Sequence, residues 1–522
     1  MATHAMHLSV ELAHLLPDAD LGAAGSIVVH NLSLDSRHIK AGDVFVALVG
    51  IKVDGREFIA KAIESGAAAV MVEADKNWQG VAWLGKVPVI AIDNLPARVS
   101  EIAGRFYADP STKFPVIGIT GTNGKTTCSL LAAQLLAALE QKAGVIGTVG
   151  YGLLDATSIA PMHQQLSLLT STGLTTPDPI AVQRILAELL NFGAKAVAME
   201  VSSHSLQQKR VAGVEFSHGI FTNLTQDHLD YHGDLKSYGN AKAQLLFAKG
   251  LKTAVVNIDD DWAKTLPEKA PGGINIIRYS LRDSADIYAQ DIELHSNGVS
   301  AKIISRWGNG AIKSPLLGEF NLSNLLAVIA CVCDQGYTLD QVIPLIEKLE
   351  PAPGRMQLVT VDQAEQEVQV IVDYAHTPDA LENTLNAIHQ HKPGNVWTVF
   401  GCGGDRDKSK RPVMGKIAER LSDYVIVTND NPRSEDPAEI AAEIVRGMMR
   451  PRSCLVIADR AQAIDFAVQQ AKAGDIILIA GKGHEDYQIF ANQTLPFSDS
   501  KHARLSLQRR IAKRDSTKEA GE

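Results

Sequence analysis

Cysteine is scarce: Cys128, Cys331, Cys333, Cys402 and Cys454 are the five in 522 residues, an odd number with no CxxC pair. That pattern favours neither a disulfide framework nor a zinc site. Long apolar runs are missing as well. The first stretch, MATHAMHLSVELAHLLPDADLG, meets Glu11 and Asp18 before any such run develops. Neither a signal peptide nor a membrane span is expected, and the cytoplasm is the expected location. There is no basic excess: the net charge of -9 argues against a nucleic-acid surface. What remains, 45% hydrophobic and 21% charged, is the composition of an ordinary globular protein, and the length predicts about three domains.

The chain is organised around Lys113 to Glu140, KFPVIGITGTNGKTTCSLLAAQLLAALE. An apolar strand (Val116, Ile117, Ile119) runs into a turn with Gly118, Gly121 and Gly124, and Lys125-Thr126-Thr127 opens a long apolar helix. Glycines let backbone N–H groups close on phosphate oxygens, and the helix N-terminus adds positive potential. Lys125 would reach the β and γ phosphates and the Thr126 hydroxyl would ligate Mg²⁺. Gly118 to Gly124 encloses one residue more than the P-loop signature. The stretch reads as an ATP site.

Residues 1–112 carry short mixed elements, with turn chemistry at Leu34-Asp35-Ser36-Arg37. Residues 113–352 form the P-loop domain. There, a polar stretch from Asp155 to Thr172 ends in the helix-start signal Thr175-Thr176-Pro177-Asp178. The apolar strand Ala194–Met199 ends in Glu200-Val201-Ser202-Ser203-His204. Glu200 suits a Mg²⁺ ligand or a capping carboxylate for the next turn. His228 and His232 are spaced i, i+4, but Leu229 occupies the position where a zinc protease needs Glu. Hard oxygen ligands around Mg²⁺ suit this cluster better. Lys242, in the helical run Tyr238–Ala248, reads by itself as a lysine with its stem on apolar surface.

Gly318 to Asn324 opens the helix Leu325–Asp334, and Pro351-Ala352-Pro353-Gly354-Arg355 reads as a stiff hinge. Residues 353–522 alternate strand and helix, predicting a doubly wound, mostly parallel sheet. Four strands end in polar clusters: Asp373 to Asp379, Gly401 to Asp407, Asn429 to Arg433, and Gly481 to Glu485. Ligands bind beyond the carboxyl ends of such strands. The tail after Arg514 is polar and is predicted to fray. The P-loop leaves open a GTPase, a motor, a small-molecule kinase, an ATP-dependent ligase or a binding module. No Asn-Lys-x-Asp guanine motif is present, which disfavours the GTPase. A second domain rich in Asp, Arg, His and Gly at its strand ends fits a ligase, in which a second substrate meets a phosphorylated first one.

In that order, Gly118–Thr127, Glu200–His204, Asp227-His228-Leu229-Asp230-Tyr231-His232, Gly401–Asp407, Asp430-Asn431-Pro432-Arg433 and Gly481-Lys482-Gly483-His484-Glu485 resemble the Mur ligase family over essentially the whole chain. The resemblance implies an α/β protein of three domains. These are an N-terminal domain for a UDP-linked substrate, a central P-loop ATPase and a C-terminal Rossmann-like domain for the incoming amino acid. It implies ATP and Mg²⁺ as cofactors, and UDP-N-acetylmuramoyl-L-alanyl-D-glutamate and meso-2,6-diaminopimelate as substrates. A monomer is expected.

By the same resemblance, Gly121, Thr122, Asn123, Gly124, Lys125, Thr126, Thr127, Asn321, Arg355, Asp373 and His376 would bind ATP. Leu34, Ser36 and the segment Ile51-Lys52-Val53 would contact the uridine nucleotide. Thr175, Thr176, Ser202, Gln208 and Arg210 would hold the muramoyl dipeptide, with Ser205 standing where the family has glycine. Thr126, Glu200 and His228 would serve Mg²⁺, joined by Lys242 as a carbamate, which replaces the reading of that lysine from its helix alone. Arg406, Asp430, Asn431, Pro432, Arg433, Gly481 and Glu485 would bind diaminopimelate. Arg433 would grip the far carboxylate bidentately and Glu485 would face the distal ammonium. Lysine-adding relatives lack this arginine, and a folate-adding ligase has no use for the Asp-Asn-Pro-Arg stretch.

Overall fold

The computed structural model describes residues 8–50, 53–361, 366–391, 394–450 and 454–519; Ile51 and Lys52 of the expected uridine segment lie outside them. Its backbone is the mixed α/β arrangement that the strand–helix alternation predicts, and it falls into two compact units.

The first unit comprises residues 1–125, 132–159 and 168–277. Its N-terminal sheet runs in the order Asn31–Ser33, Asp43–Ala47, Ala69–Glu73, Val87–Ile92, Val81–Leu84, parallel except for the last strand. Alternate residues face different cores: Val44 and Val46 pack with Met71 and Ile90, while Phe45 and Ala47 pack with Val70 and Val89. A sheet covered on both sides explains why these strands read as continuous apolar runs. The second sheet of this unit orders Gly150–Asp155, Lys142–Gly147, Val197–Glu200, Val116–Thr120, His218–Phe221 and Thr253–Asn257. All its neighbours are parallel except the hairpin at the first pair. Three central strands therefore point their carboxyl ends at one edge, where the loops after Thr120, Glu200 and Phe221 meet.

The second unit comprises residues 126–131, 160–167 and 278–522. Ile287–His295, Gly298–Ser305 and Gly308–Ser314 form an antiparallel meander. A six-stranded sheet orders Gln357–Leu358, Gln369–Asp373, Ile476–Ala480, Val396–Phe400, Tyr424–Val427 and Cys454–Val456, parallel beyond its first, antiparallel strand. Its faces are again separate cores, Ile371, Phe400 and Leu478 on one side, Val372, Val399 and Ile477 on the other.

Some expectations are corrected. Gly118 lies inside the strand Val116–Thr120 rather than in the turn. A Cβ there would stand 2.8 Å from the Phe216 ring, so this glycine serves sheet packing and the phosphate loop starts at Gly121. The stretch from Asp155 to Thr172 is not uniformly irregular, because Met162–Ser167 is helical behind Pro161. The helix expected from Leu325 begins at Glu319, since Gly318 adopts the positive φ of 88° that lets the chain turn directly into it. The last helix, Asp499–Glu519, runs past Arg514 instead of fraying there. It is tied to the helix Arg460–Gln470 by Gln469 Nε2, donating to the Ser506 carbonyl at 3.0 Å, and by Arg510 Nη1, donating to Val468 at 2.7 Å.

Arg460 and Asp499 are both completely buried. Arg460 Nε and Nη2 donate to the two Asp499 carboxylate oxygens at 2.7 and 2.8 Å, and Nη2 also donates to the Ala480 carbonyl at 2.9 Å. Deleting one partner of a buried pair strands the other charge. Asp499→Ala is expected to lower the unfolding free energy by about 3–5 kcal/mol in denaturant titration, whereas Asp261→Ala, at an exposed pair, should leave the unfolding midpoint nearly unchanged.

Candidate active site

In the first unit, the loop Gly121 to Gly124 is held by the segment after the strand His218–Phe221. The Thr122 N–H donates to the Asn223 carbonyl at 2.9 Å and the Asn123 N–H to Asn223 Oδ1 at 2.9 Å. Thr222 Oγ1 donates to the Asn123 carbonyl at 2.6 Å, and the Thr225 N–H to Thr122 Oγ1 at 3.0 Å. Gly121 has φ of 150°, and a Cβ there would fall 1.8 Å from Thr222 Oγ1, so no other residue fits. Gly124, with φ of 88°, caps the helix Lys125–Glu140 without a side chain. Thr126 and Thr127 are buried in its first turn.

Lys125 Nζ folds back over the loop to the carbonyls of Gly121 and Thr122, 2.9 Å from each. Lys242 Nζ donates to the same Gly121 carbonyl at 2.7 Å and lies 4.1 Å from the centroid of the Tyr238 ring. Burial first, and then the charge of Lys125, drives the Lys242 amine well below the usual lysine range. Its exposure of 1% decides that it is no snorkelling surface residue.

Glu200 is buried at its strand end, where its Oε1 accepts the Thr148 N–H at 2.8 Å and its Oε2 the Thr148 hydroxyl at 3.0 Å. The capping role left open for it falls to Ser202, which accepts the Ser205 N–H at the start of the helix Ser203–Gln207. Ser205 fits there by donating its hydroxyl back to the Ser202 carbonyl at 2.7 Å. Thr175 accepts from, or donates to, the Thr148 hydroxyl at 3.0 Å, and Thr176 Oγ1 donates to the Glu200 carbonyl at 2.8 Å. Arg210 donates to the Thr176 carbonyl at 2.8 Å and through Nε and Nη2 to Gln208 Oε1 at 2.9 and 2.6 Å; Gln208 in turn reaches Tyr231 Oη at 3.0 Å. Glu200, Thr175, Thr176, Ser202, Gln208 and Arg210 thus form one network. Thr148 and Tyr231 belong to it and were not singled out in the sequence, where nothing sets this threonine apart from its neighbours.

His228, with φ of 53°, begins the short helix Leu229–His232. Its ring and that of His232 lie 4.9 and 5.3 Å from the ring of His204, centroid to centroid. His204 is lowered to about 4 by burial and by the neighbouring His228 and His232; burial also lowers His228 and His232. Burial thus works against protonation of all three rings. Leu34 and Ser36 stand elsewhere in this unit, on a turn closed by Asp35, which accepts from the Arg37 backbone and, bidentately, from its guanidinium. That arginine holds the Asp35 carboxyl down at about 2.

In the second unit, Asn321 is buried on its helix, donating to the Leu317 carbonyl at 2.8 Å and accepting from Asn324 at 3.4 Å. The Arg355 guanidinium lies 4.5 Å from the centroid of the Tyr374 ring. The Asp373 carboxylate turns inward to the N–H groups of Met356 and Ala375, at 2.7 and 2.8 Å. His376 Nδ1 is 2.9 Å from the Tyr374 carbonyl. Gly354, just before Arg355, presses on the Gly483–His484 backbone: a Cβ there would stand 2.1 Å from the His484 nitrogen.

The loops expected to hold diaminopimelate are interlocked. Arg433, with φ of 53°, donates from Nη1 to the Gly404 carbonyl at 2.8 Å and from its N–H to Ile489 at 3.0 Å. Asn431 Nδ2 donates to Glu485 Oε2 at 2.9 Å, and Gly481 lies so close to Asp430 that a Cβ would approach its Oδ2 to 2.6 Å. Arg406 is exposed, its Nη1 3.3 Å from the Asp405 carbonyl. A cleft of ≈ 720 Å³ opens beside Pro432 and Arg433, walled by residues 434–437 and 490–493. The buried Arg411 supports this loop from below, bridging Glu435, Glu443 and the Gly403 carbonyl. Its signal is a charge at position i of the buried stripe Met414, Gly415, Ala418. Among the described residues no group of three or more His, Cys, Asp or Glu side chains is placed to hold a metal ion.

Three family descriptions match in succession: the Mur ligase family catalytic domain over residues 28–107, the Mur ligase middle domain over 119–332, and the Mur ligase glutamate ligase domain over 354–483. The chain is 44% identical over 501 residues to a UDP-N-acetylmuramoyl-L-alanyl-D-glutamate--2,6-diaminopimelate ligase of Coxiella burnetii, covering 95% of this chain and 99% of the relative. It is 43% identical to the protein of that name in Pseudomonas aeruginosa, covering 96% and 98%. A solved structure of a ligase of that name superposes with a TM-score of 0.69 at 35% identity, covering 96% of this chain and 99% of the other. MurF from Acinetobacter baumannii, at 18% identity and a TM-score of 0.63, shares the fold.

The three histidines also set a pH dependence. Their folded values lie below that of an unfolded histidine, about 6.5, so the unfolded chain binds more protons below that pH and folding stability rises with pH there. The contribution is complete above about 6.5 and is lost as the pH falls toward 4. The thermal midpoint is expected to drop between about pH 7.5 and pH 5, and His204→Gln to flatten that slope, measured by calorimetry.

Proposed function

The chain belongs to the Mur ligase family, and on that premise we propose that it is the ATP-dependent ligase that joins meso-2,6-diaminopimelate to UDP-N-acetylmuramoyl-L-alanyl-D-glutamate in peptidoglycan synthesis. The observation that carries this reading is the Asp430–Arg433 loop, locked against Glu485, in a chain 44% identical over nearly its whole length to ligases of that name. Residues 1–112 take the UDP moiety through Leu34 and Ser36, residues 113–352 take ATP, and residues 353–522 take the amino acid. We assign it to the cytoplasm as a monomer; separately, no described helix is long and apolar enough to cross a membrane.

The reaction needs activation because a carboxylate is a poor electrophile. The γ-phosphoryl group of ATP passes to a D-glutamyl carboxylate oxygen, giving ADP and an acyl phosphate. The diaminopimelate amine attacks the acyl carbon, a tetrahedral intermediate forms, and phosphate departs with the C–O bonding pair, leaving the amide. The Gly121–Gly124 amides and Lys125 hold the phosphates and meet the charge that develops on them. The Glu200, Thr175, Thr176, Ser202, Gln208 and Arg210 network holds the dipeptide near them. Asn321, Arg355, Asp373 and His376 complete the nucleotide side.

Mg²⁺ fits the residues present. Glu200 is a buried carboxylate, His228 an imidazole whose protonation burial opposes, Thr126 a hydroxyl at the helix start, and Lys242 a lysine whose charged form burial opposes and which as the free amine would take up CO₂, losing a proton to become an anionic carbamate. Bound there, the metal supplies charge neutralisation at the transferring phosphoryl.

A lysine-adding ligase is the runner-up, and a folate-adding one is disfavoured by the Asp-Asn-Pro-Arg loop. Purified protein with ATP and the UDP-dipeptide is expected to release phosphate faster with meso-diaminopimelate than with L-lysine; the reverse order overturns the choice. Arg433→Ala is expected to raise the KM for diaminopimelate by about 100-fold, the loss of a bidentate charged contact of about 2–3 kcal/mol, with the KM for ATP little changed.

A further inference from the structure

The side chain of Lys482 has no exposed surface, yet it ends among the residues assigned to the incoming amino acid. Its Nζ donates to Asn431 Oδ1 at 3.1 Å and to Glu485 Oε2 at 3.0 Å. Asn431 Oδ1 also accepts the Ile489 N–H at 3.0 Å, while Asn431 Nδ2 donates to Glu485 Oε2 at 2.9 Å. Two donors on one side and a carboxylate on the other leave the Asn431 amide a single orientation. Glu485 Oε2 accepts from both Asn431 Nδ2 and Lys482 Nζ, so the two groups together fix the carboxylate.

Without a cation beside it, the part-buried Glu485 would carry an uncompensated charge. Lys482 compensates that charge from inside the protein and so allows the carboxylate to stand ready. The hairpin Tyr487–Phe490 and Gln493–Pro496 follows immediately, and its wall of the cleft is tied to Asn431 through Ile489 and to Arg433 through the Arg433 N–H. One buried ammonium therefore sets two residues and, through Asn431, the register of the hairpin.

We infer that Lys482 is a positioning residue for the incoming amino acid, fixing the Asn431 amide and the Glu485 carboxylate in the geometry that takes an ammonium carried by an amino-acid side chain. It touches no substrate itself. The inference rests on reading this cleft as the amine site.

The test is a double-mutant cycle on the full-length enzyme with Lys482→Met, Glu485→Gln and the double variant. Lys482→Met is expected to raise the KM for meso-diaminopimelate about tenfold or more, with the KM values for ATP and the UDP-dipeptide within about twofold. Because Lys482 acts partly through Glu485, the double variant is expected to raise that KM by clearly less than the product of the two single effects. A parallel rise in all three KM values, or additive effects in the cycle, would overturn the inference. Lys482→Gln, which keeps a donor without the charge, is read by the same criteria if the Met variant does not fold; failure of both to fold makes Lys482 a structural residue and the inference falls. If wild-type enzyme turns over another amino acid instead, the cycle is run with that one. Coupling confined to its KM would then sustain the role of Lys482 while the choice of diaminopimelate is lost.

Discussion

Two ammonium groups share one carbonyl oxygen, that of Gly121, and much of the first unit depends on how that conflict is resolved. Two like charges this close repel strongly in a dry environment. Lys242, the more deeply buried, is driven well below the usual lysine range by burial first and then by the charge of Lys125. Two residues of the same type thus sit side by side in different electrostatic settings. The strand ends at Thr120, Glu200 and Phe221 make this possible by bringing three loops to one edge of a sheet whose body is dry.

The second unit uses buried cations in a different way. Arg411, Arg460 and Lys482 are all fully buried at the side chain, and each ends on loop groups at the carboxyl edge of the six-stranded sheet. Arg411 fastens Gly403 to Glu435, Arg460 fastens Ala480 to Asp499, and Lys482 fastens Asn431 to Glu485. Such pairs are weak evidence for stability, since apolar replacements of similar volume often fold as well. What they give is orientation. Each of these groups is pinned from within by a buried charge.

Much of this was legible in the sequence because the loops that carry chemistry are marked by unusual residues at strand ends. Gly121–Thr127, the Glu200 strand end and the Asp430–Arg433 loop fall where the alternation of strand and helix puts them. What escaped were residues whose importance is purely spatial. Thr148 lies in a hairpin far along the chain from Glu200 and becomes its partner only on folding. Arg411 and Arg460 each open a helix and occupy the apolar stripe of the following turns, and a charge in a stripe is the one trace they leave. Gly118 misled for the opposite reason: a glycine beside a phosphate loop looks functional, and only the Phe216 ring shows that it makes room for a neighbour.

Gly354 gives the stiff segment Pro351–Arg355 a mechanical character that its composition does not convey. Because this residue abuts the backbone of Gly483 and His484, any swivel about the segment must either lose that seat or carry the neighbouring loop along. Glu485 is two residues beyond Gly483, so the stiff segment and the carboxylate that Lys482 holds are geared together: turning the one adjusts the other, with no messenger needed between them.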